Sequence, residues 1–259
     1  MHPAPRHDWH TRAFGPLVDV AYAPRDRRQA IVQVEALTRL LADCGRQPRG
    51  VGGAPAAMLD AGCGAGRHLA PLARSARLAL GIDLRAGRLR AGRRRGVREP
   101  LVRADLCRLP LRDGSIDAVH SLFSSFGYLG EAGDRAVLFE WSRVLRPGGS
   151  LVLDLADRGA TAAHLVPRST RRVGGLAIRE SRRMVGGVTV VKRVRIDRGR
   201  DRVASWVERL RLYSLGELEE RLGEAGFVDL RRLDSAGLPG FGPRRLLVVA
   251  RTVGGLEAL

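Results

Sequence analysis

The sequence is poor in cysteine and in long apolar runs, and each shortage excludes a class of protein. Its three cysteines, Cys44, Cys63 and Cys107, lack the paired spacing of a disulfide framework or of a zinc site. No apolar run approaches the roughly 20 residues that a membrane helix needs, and the first residues lack the apolar core of a signal peptide. We therefore expect a cytoplasmic chain in a reducing compartment, with no membrane partner and no bound metal.

Aromatic residues and lysine are also scarce. Aromatic side chains make up 5% of the 259 residues, and Lys192 is the single lysine among 45 basic residues. Acidic residues number 27, so the net charge is +18, and the excess lies in residues 85–103 and 158–211. Such basic segments are most often solvated surface, although they could also bind nucleic acid or an anionic substrate.

Strand and helix patterns alternate through the middle of the chain. Residues 1–50 have apolar positions at helical spacing and form an N-terminal helical region. Residues 51–157 alternate between apolar strands and helices, which is typical of a doubly wound, mostly parallel sheet. Residues 158–213 change to an antiparallel β insertion, and residues 214–259 add a helix and two last strands.

Local patterns predict several individual elements. Helices are expected over Arg67–Ser75 and Asp134–Leu145, the second closed by a Pro-Gly-Gly turn. Ser214 followed three residues later by Glu217 is a capping box and predicts the start of a further helix. The insertion is predicted to contain three strands, namely Leu176–Val185, Val188–Ile196 and Val203–Tyr213.

A glycine-rich turn between two apolar strands is the most informative feature. The first strand ends at Asp60 and is followed by Gly62, Gly64 and Gly66, which let the backbone turn sharply and approach a ligand closely. The second strand ends at Asp83, about 20 residues on, where an acid can accept both hydroxyls of a ribose. The pattern predicts a nucleotide-shaped pocket. Its spacing differs from the G-x-G-x-x-G of nicotinamide-binding proteins, which disfavours an oxidoreductase.

The glycine turn, with its preceding acid, resembles motif I of the class I S-adenosylmethionine-dependent methyltransferases. Asp83, Ala104-Asp105-Leu106, Ser115-Ile116-Asp117-Ala118-Val119 and Leu145-Arg146-Pro147-Gly148-Gly149 resemble later segments of that family, in its order. The resemblance implies a Rossmann-like α/β fold with a seven-stranded sheet and the antiparallel insertion after the fifth strand. It implies S-adenosyl-L-methionine as cofactor and S-adenosyl-L-homocysteine as product. The implied cofactor-binding residues are Asp60, Gly62, Gly64, Gly66, Arg67, Asp83, Leu84, Asp105, Leu106, Leu122 and Tyr22.

The segment after the predicted fourth strand, Leu122-Phe123-Ser124-Ser125-Phe126-Gly127-Tyr128, looks like the SFGY segment of a bacterial subgroup of small-molecule-type methyltransferases. The likeness implies a substrate pocket formed by Phe123, Ser124, Ser125 and Phe126. Tyr128 could orient the substrate or pack against the next helix. His120, inside the fourth strand, could act as a base or lie in the core. Tyr22 is expected to fold over the cofactor as a lid residue.

The chemistry implied by this resemblance is a one-step displacement, in which the enzyme places a nucleophile in line with a methyl group and excludes water. A general base is needed only when the nucleophile carries a proton that it cannot lose by itself. The leading hypothesis is therefore methyl transfer to N, O or C of a small metabolite, possible without a catalytic constellation. The insertion would roof the substrate pocket or form a homodimer contact, and five arginines could recognise an acidic substrate: Arg179, Arg182, Arg183, Arg193 and Arg195.

Two other hypotheses remain open. The chain could be an RNA methyltransferase that binds phosphates with its two basic segments, although few aromatic residues there could stack on bases. It could also be a non-catalytic scaffold that binds the cofactor, because a fold does not guarantee activity.

Overall fold

Two β-sheets and a set of short helices make up the structure, a computed structural model that describes residues 17–22, 27–43, 45, 48–53, 56–235 and 237–253. The helices in these ranges are α1 (Val18–Ala21), α2 (Arg27–Asp43), α3 (Leu69–Leu72), α4 (Ala86–Arg94), α5 (Gly130–Val144), α6 (Arg158–Ala163) and α7 (Leu215–Glu224). The strands are β1 (Ala56–Ala61), β2 (Ala76–Asp83), β3 (Leu101–Arg103), β4 (Ile116–Ser121), β5 (Leu145–Ala156), β6 (Arg168–Val173), β7 (Leu176–Val185), β8 (Thr189–Arg198), β9 (Asp201–Arg211), β10 (Phe227–Leu233) and β11 (Arg245–Thr252).

The larger sheet has seven strands in the order β10-β11-β5-β4-β1-β2-β3. Strands β1 to β5 are parallel to one another, and β11 runs antiparallel to β5. The predicted Rossmann-like, mostly parallel, seven-stranded sheet with an insertion after the fifth strand is therefore confirmed. The chain order reverses between β1 and β4, and sheets of this kind bind ligands at that point, beyond the carboxyl ends of the strands.

The central strands form because both of their faces are covered. All six positions of β1 and all six of β4 are buried, as expected for inner strands of a parallel sheet with helices on both sides. Helix α5 contributes Val137, Leu138 and Trp141 to one side of this core, each almost fully buried. Helix α2 contributes Leu37 and Leu41 to the other side. Burial of such side chains stabilises the sheet by about 25 cal/mol for each Å² of apolar surface removed from water.

The smaller sheet has four antiparallel strands in the order β6-β7-β8-β9, so the prediction of three strands for the insertion was wrong. The additional strand, β6, has the sequence Arg-Ser-Thr-Arg-Arg-Val and lies at the edge of the sheet, where one face is exposed along its length. It has almost no apolar alternation, so the sequence pattern could not reveal it. One face of this sheet packs against Val18 and Ala21 of α1 through Ile178 and Trp206.

Helix boundaries differ from prediction where the local backbone departs from the periodic pattern. The helix predicted at Arg67–Ser75 is reduced to the single turn α3, because Gly66 has φ +72° and the chain continues through turns as far as His68. Helix α5 begins four residues earlier than predicted, at Gly130. The capping box is confirmed, with the side chains of Ser214 and Glu217 each accepting from the backbone N–H of the other.

The N-terminal helical region is divided into α1 and α2, and its predicted part before residue 17 lies outside the described residues. Across the described ranges, we find no helix with the length and apolar character required to cross a membrane.

Candidate functional site

A cavity of about 690 Å³ opens at the carboxyl ends of β1, β2 and β4, beside the reversal in strand order. It is lined by every predicted cofactor-binding residue, by the four residues predicted for the substrate pocket and by Tyr128, but not by His120. Those residues are Tyr22, Asp60, Gly62, Gly64, Gly66, Arg67, Asp83, Leu84, Asp105, Leu106, Leu122, Phe123, Ser124, Ser125, Phe126 and Tyr128. Four further basic residues of the cavity wall were not predicted from the sequence: Arg27, Arg85, Arg88 and Arg95.

The glycine turn packs directly against the loop that follows β4. Gly62 has φ +76°, and a Cβ atom on this residue would lie only 2.6 Å from the Cβ of Ser125. The Ser125 hydroxyl donates a hydrogen bond to the Gly62 carbonyl (3.1 Å). Only glycine combines this backbone conformation with so close an approach, so the turn and the loop together form one cradle.

Asp83 is fixed at the end of β2 by two backbone donors. The N–H of Gly64 donates to one carboxylate oxygen (2.9 Å), and the N–H of Arg85 donates to the other (2.8 Å). Burial raises the pKa of Asp83, while these two hydrogen bonds lower it. Each carboxylate oxygen has a further lone pair, so the oriented group can still accept hydroxyl hydrogens from a ligand.

Asp60 is a buried carboxyl group with an unsatisfied oxygen. Its side chain is 3% exposed, and its Oδ2 has no hydrogen-bond partner among the described residues; the nearest basic nitrogen, His68 Nδ1, is 3.9 Å away. Burial raises the pKa of Asp60 to about 7, with Arg67 opposing and Asp83 adding to that rise. Burial also holds the pKa of His68 well below its usual range, so that imidazole is neutral. An orphaned acceptor in a cavity fits a ligand that brings a hydrogen-bond donor or a cation.

Asp105 serves a local turn as well as lining the cavity. The N–H of Cys107 donates to its carboxylate (2.9 Å). The backbones of Asp105 and Arg108 also form an isolated antiparallel β-bridge. Its neighbour Leu106 approaches the glycine turn, with a side-chain carbon 3.8 Å from the position of a Cβ on Gly62.

A buried acid on β5, which was not predicted as a cofactor or substrate residue, fixes the loop after β4 by hydrogen bonds. Asp154, 2% exposed and near the end of β5, accepts a hydrogen bond from the N–H of Phe123 (2.8 Å) on its carboxylate. Its carbonyl accepts from the N–H of Ser124 (2.8 Å). The available signal was an acid inside the otherwise apolar strand Leu-Val-Leu-Asp-Leu-Ala.

The far end of the loop is held by a second buried acid, Asp134. Its carboxylate accepts from the N–H of Leu129 (3.1 Å) and from the hydroxyl of Tyr213 (2.8 Å). Burial raises the pKa of Asp134 to about 6, although the hydrogen bond from Tyr213 opposes this rise. Phe126 lines the cavity while its ring also packs 5.3 Å from that of Tyr213, between centroids.

His120 does not belong to this cavity, which corrects its prediction as a catalytic candidate. Its side chain lies in a separate small pocket lined by Val34, Leu37 and Met58, and it is 2% exposed. Burial lowers the pKa of His120 to about 4. Successive residues of a strand point to opposite faces, and β4 directs this imidazole toward α2 and away from the ligand side.

Tyr22 lies between the cavity and the four-stranded sheet. Its ring lines the cavity, and its hydroxyl donates to Glu208 (2.7 Å) and accepts from Lys192 (2.7 Å). Lys192 also pairs with Glu180 (3.0 Å). Tyr22 is therefore hydrogen bonded to β8 and β9, and its role as a lid residue stays a prediction.

The insertion itself does not line the cavity, which leaves its predicted role as a roof without support. The five arginines predicted to recognise an acidic substrate do not line the cavity either. Arg179 and Arg195 pair with Asp197, and Arg182 pairs with Glu180. The remaining two, Arg183 and Arg193, are exposed.

Comparison with known proteins finds one matching domain and several similar folds. Residues 59–153 match the family described as a methyltransferase domain. None of the curated proteins matches the chain. The sugar N-methyltransferase KedS8 from Streptoalloteichus has 23% identity, a TM-score of 0.70, and coverage of 93% of this chain and 94% of its own.

Two further solved structures are similar. CalS10, an amino pentose methyltransferase from Micromonospora, has 23% identity, a TM-score of 0.64, and coverage of 92% and 98%. An S-adenosylmethionine-dependent methyltransferase from Clostridium acetobutylicum has 13% identity, a TM-score of 0.69, and coverage of 92% and 96%. At these identities the likeness shows a shared fold. The domain match over residues 59–153 confirms the predicted enzyme class, a methyltransferase.

Proposed function

We propose that this methyltransferase moves the methyl group of S-adenosylmethionine to a nitrogen, oxygen or carbon atom of a small metabolite by direct in-line displacement. The observation that carries the proposal is the single cavity in which the glycine turn, Asp60, Asp83 and the loop after β4 meet. Its volume, about 690 Å³, falls in the range of small-molecule sites and leaves room for an acceptor beside a nucleoside.

The cofactor would be held by groups that already face the cavity. Asp83 would accept the ribose hydroxyls, and Asp105 with Leu106 would cover the adenine. Arg67 suits the cofactor's carboxylate because a guanidinium matches a carboxylate in a two-pronged geometry, and Asp60 suits its ammonium group. When bound, the cofactor supplies an electrophilic methyl group on a sulfonium sulfur. Backbone contacts are proposed for Gly62, Gly64, Gly66, Leu84 and Leu122, with Tyr22 closing over them.

The acceptor would lie against the loop after β4. Phe123, Ser124, Ser125 and Phe126 would form its pocket and exclude water, and Tyr128 would orient it. An amine or a phenolate can react once it is positioned, so we assign no obligatory base. The SFGY likeness supports a place in a bacterial small-molecule subgroup, and a cytoplasmic location remains a prediction.

An amino group on a sugar or on a related natural product is our first choice of acceptor. Two of the similar structures are described as methyltransferases of a sugar nitrogen and of an amino pentose. We expect methyl transfer from labelled S-adenosylmethionine to at least one member of a panel of amino sugars and aminated aglycones. Folded protein that binds neither S-adenosylmethionine nor S-adenosylhomocysteine at millimolar concentration would overturn the proposal. Binding without turnover on any acceptor class would instead favour a scaffold.

One observation favours RNA as an alternative substrate. The face of the four-stranded sheet turned away from α1 carries eight exposed arginines and one acid, Asp197. The arginines are Arg168, Arg172, Arg179, Arg183, Arg193, Arg195, Arg202 and Arg209. Phosphate binding by such a face would weaken steeply with salt. RNA affinity that is absent, or that does not depend on salt, would remove this alternative.

A further inference from the structure

Two consecutive residues of the loop after β4 adopt an unusual backbone conformation. Phe123 has φ +65° and Ser124 has φ +56°, in the left-handed region that residues with a Cβ atom rarely occupy. Both residues line the cavity. Strain of this kind persists only where surrounding contacts impose it, and it concentrates at ligand sites.

Asp154 imposes this conformation from β5. It accepts from the N–H groups of both loop residues, with its carboxylate bonded to Phe123 and its carbonyl to Ser124 (both 2.8 Å). The Ser124 hydroxyl in turn accepts from the N–H of Ala156 (3.1 Å). The loop is therefore tied to the end of β5 at three points.

Arg245, on the antiparallel neighbour β11, completes the arrangement. Its guanidinium donates to the Asp154 carboxylate (2.6 Å) and to the Asp154 carbonyl (2.8 Å). Its central carbon also lies 5.2 Å from the centroid of the Phe123 ring. The same ring is contacted by Arg67, at 5.1 Å. Cations are attracted to the face of an aromatic ring, so Phe123 couples the two guanidinium groups.

We propose that Asp154 and Arg245 are positioning residues which, through the ring of Phe123, hold Arg67 in place for the carboxylate end of the cofactor. Asp154 and Arg245 themselves do not line the cavity. Their effect should be confined to one end of the site, because the ring that they fix contacts Arg67. Asp83, at the other end, is held independently by two backbone N–H groups. The inference rests on the proposed function, since it assigns one end of that ligand.

Two nucleosides separate this role from a general structural one. S-adenosylhomocysteine carries the amino-acid end, whereas 5′-methylthioadenosine has the same nucleoside without it. Arg245→Lys keeps the positive charge and removes the planar fork. We expect calorimetry to show about tenfold weaker binding of S-adenosylhomocysteine, in line with the loss of a cation–ring contact, and binding of 5′-methylthioadenosine within about twofold of wild type. Arg67→Ala should show the same pattern.

Two further variants make the test decisive. Phe123→Leu keeps an apolar side chain and removes the ring, so it should reproduce the selective loss even if Arg245→Lys folds poorly. Arg244→Lys, at an exposed neighbouring position, is the matched control and should leave both affinities unchanged. Equal loss of both nucleosides in Arg245→Lys and Phe123→Leu, or no loss of either, would overturn the positioning role. Failure of the wild type to bind either nucleoside would instead refute the proposed function.

Discussion

Buried acidic side chains at the cavity edge of the seven-stranded sheet and those on the four-stranded sheet have pKa values shifted in opposite directions. At the cavity edge, burial raises the pKa of Asp60 to about 7 and that of Asp134 to about 6. On the four-stranded sheet, hydrogen bonding to Arg195 lowers the pKa of Asp197, and Lys192 lowers that of Glu180 although burial opposes it.

The difference distinguishes Asp60, a carboxyl group available to a ligand, from acids that contribute only to the fold. Cations from the same chain pair with Glu180 and Asp197 on the four-stranded sheet, whereas Asp60 has a buried oxygen with no partner among the described residues. Proteins rarely leave a buried polar atom unsatisfied without a function for it. Both regions contain a strongly basic segment, so charge alone would not have distinguished the two sheets.

Lys192→Met is expected to give the largest effect. The Lys192 ammonium is 13% exposed and lies between Glu180 (3.0 Å) and Glu208 (3.7 Å), so its loss removes a cation from both carboxylates and leaves Glu180 with Arg182. We expect a loss of about 2–4 kcal/mol in the free energy of unfolding, measured by urea denaturation. Tyr22 keeps its hydrogen bond to Glu208 in this variant, so we expect S-adenosylhomocysteine affinity per folded molecule to stay within about twofold. A large loss of that affinity would break the comparison.

Asp83→Ala tests the cavity edge directly. It removes the acceptor proposed for the ribose hydroxyls and should weaken S-adenosylmethionine binding by about 1.5–3 kcal/mol. Calorimetry at constant pH measures this loss. Asp197→Ala on the four-stranded sheet is the control and should leave the cofactor affinity unchanged. Unaltered binding by Asp83→Ala would contradict its assignment.

The pH dependence of binding isolates Asp60. A ligand ammonium group favours the carboxylate, so below a pKa of about 7 a proton must leave before the ligand binds. We expect S-adenosylhomocysteine affinity to fall by up to about tenfold for each pH unit below 7 and to level off above it. For the unliganded fold the sign is opposite: the raised pKa makes it less stable as pH rises from about 4 to 7.

Substitution at Asp60 checks the origin of that profile. Asp60→Asn should bind the ligand more weakly and without a midpoint near pH 7. Asp134→Asn, which removes another cavity carboxyl group with a raised pKa, should keep the wild-type midpoint. If Asp134→Asn shifts the midpoint instead, the titrating group is Asp134 and the assignment to Asp60 is wrong.

Arg193→Gln is expected to give the smallest effect. Arg193 is exposed on the outer face of the four-stranded sheet, where a single charge contributes little to stability. We expect the free energy of unfolding to change by less than about 0.5 kcal/mol and the cofactor affinity to stay constant. A salt-dependent loss of RNA binding in this variant would give the outer face a function.

Features encoded by neighbouring residues were predicted well from the sequence. The glycine turn, the acid at the end of β2 and the capping box at Ser214 depend on local backbone requirements and short fixed spacings. The parallel sheet followed from the alternation of strand and helix patterns. Strand β6 was missed because an arginine-rich edge strand has little apolar alternation. The helix at Arg67–Ser75 was predicted too long because the turns of the glycine segment continue as far as His68.

By itself the sequence determined which segment would form a nucleotide-shaped turn, because glycine conformation and strand periodicity are local properties. Only the tertiary structure decided which face of β4 looks into the cavity, and so removed His120 from the site. It alone also joined Asp154 to Arg245, 91 residues apart in the chain, because β5 and β11 pair side by side. Contacts of that kind depend on which strands become neighbours, and no spacing within a single segment encodes that choice.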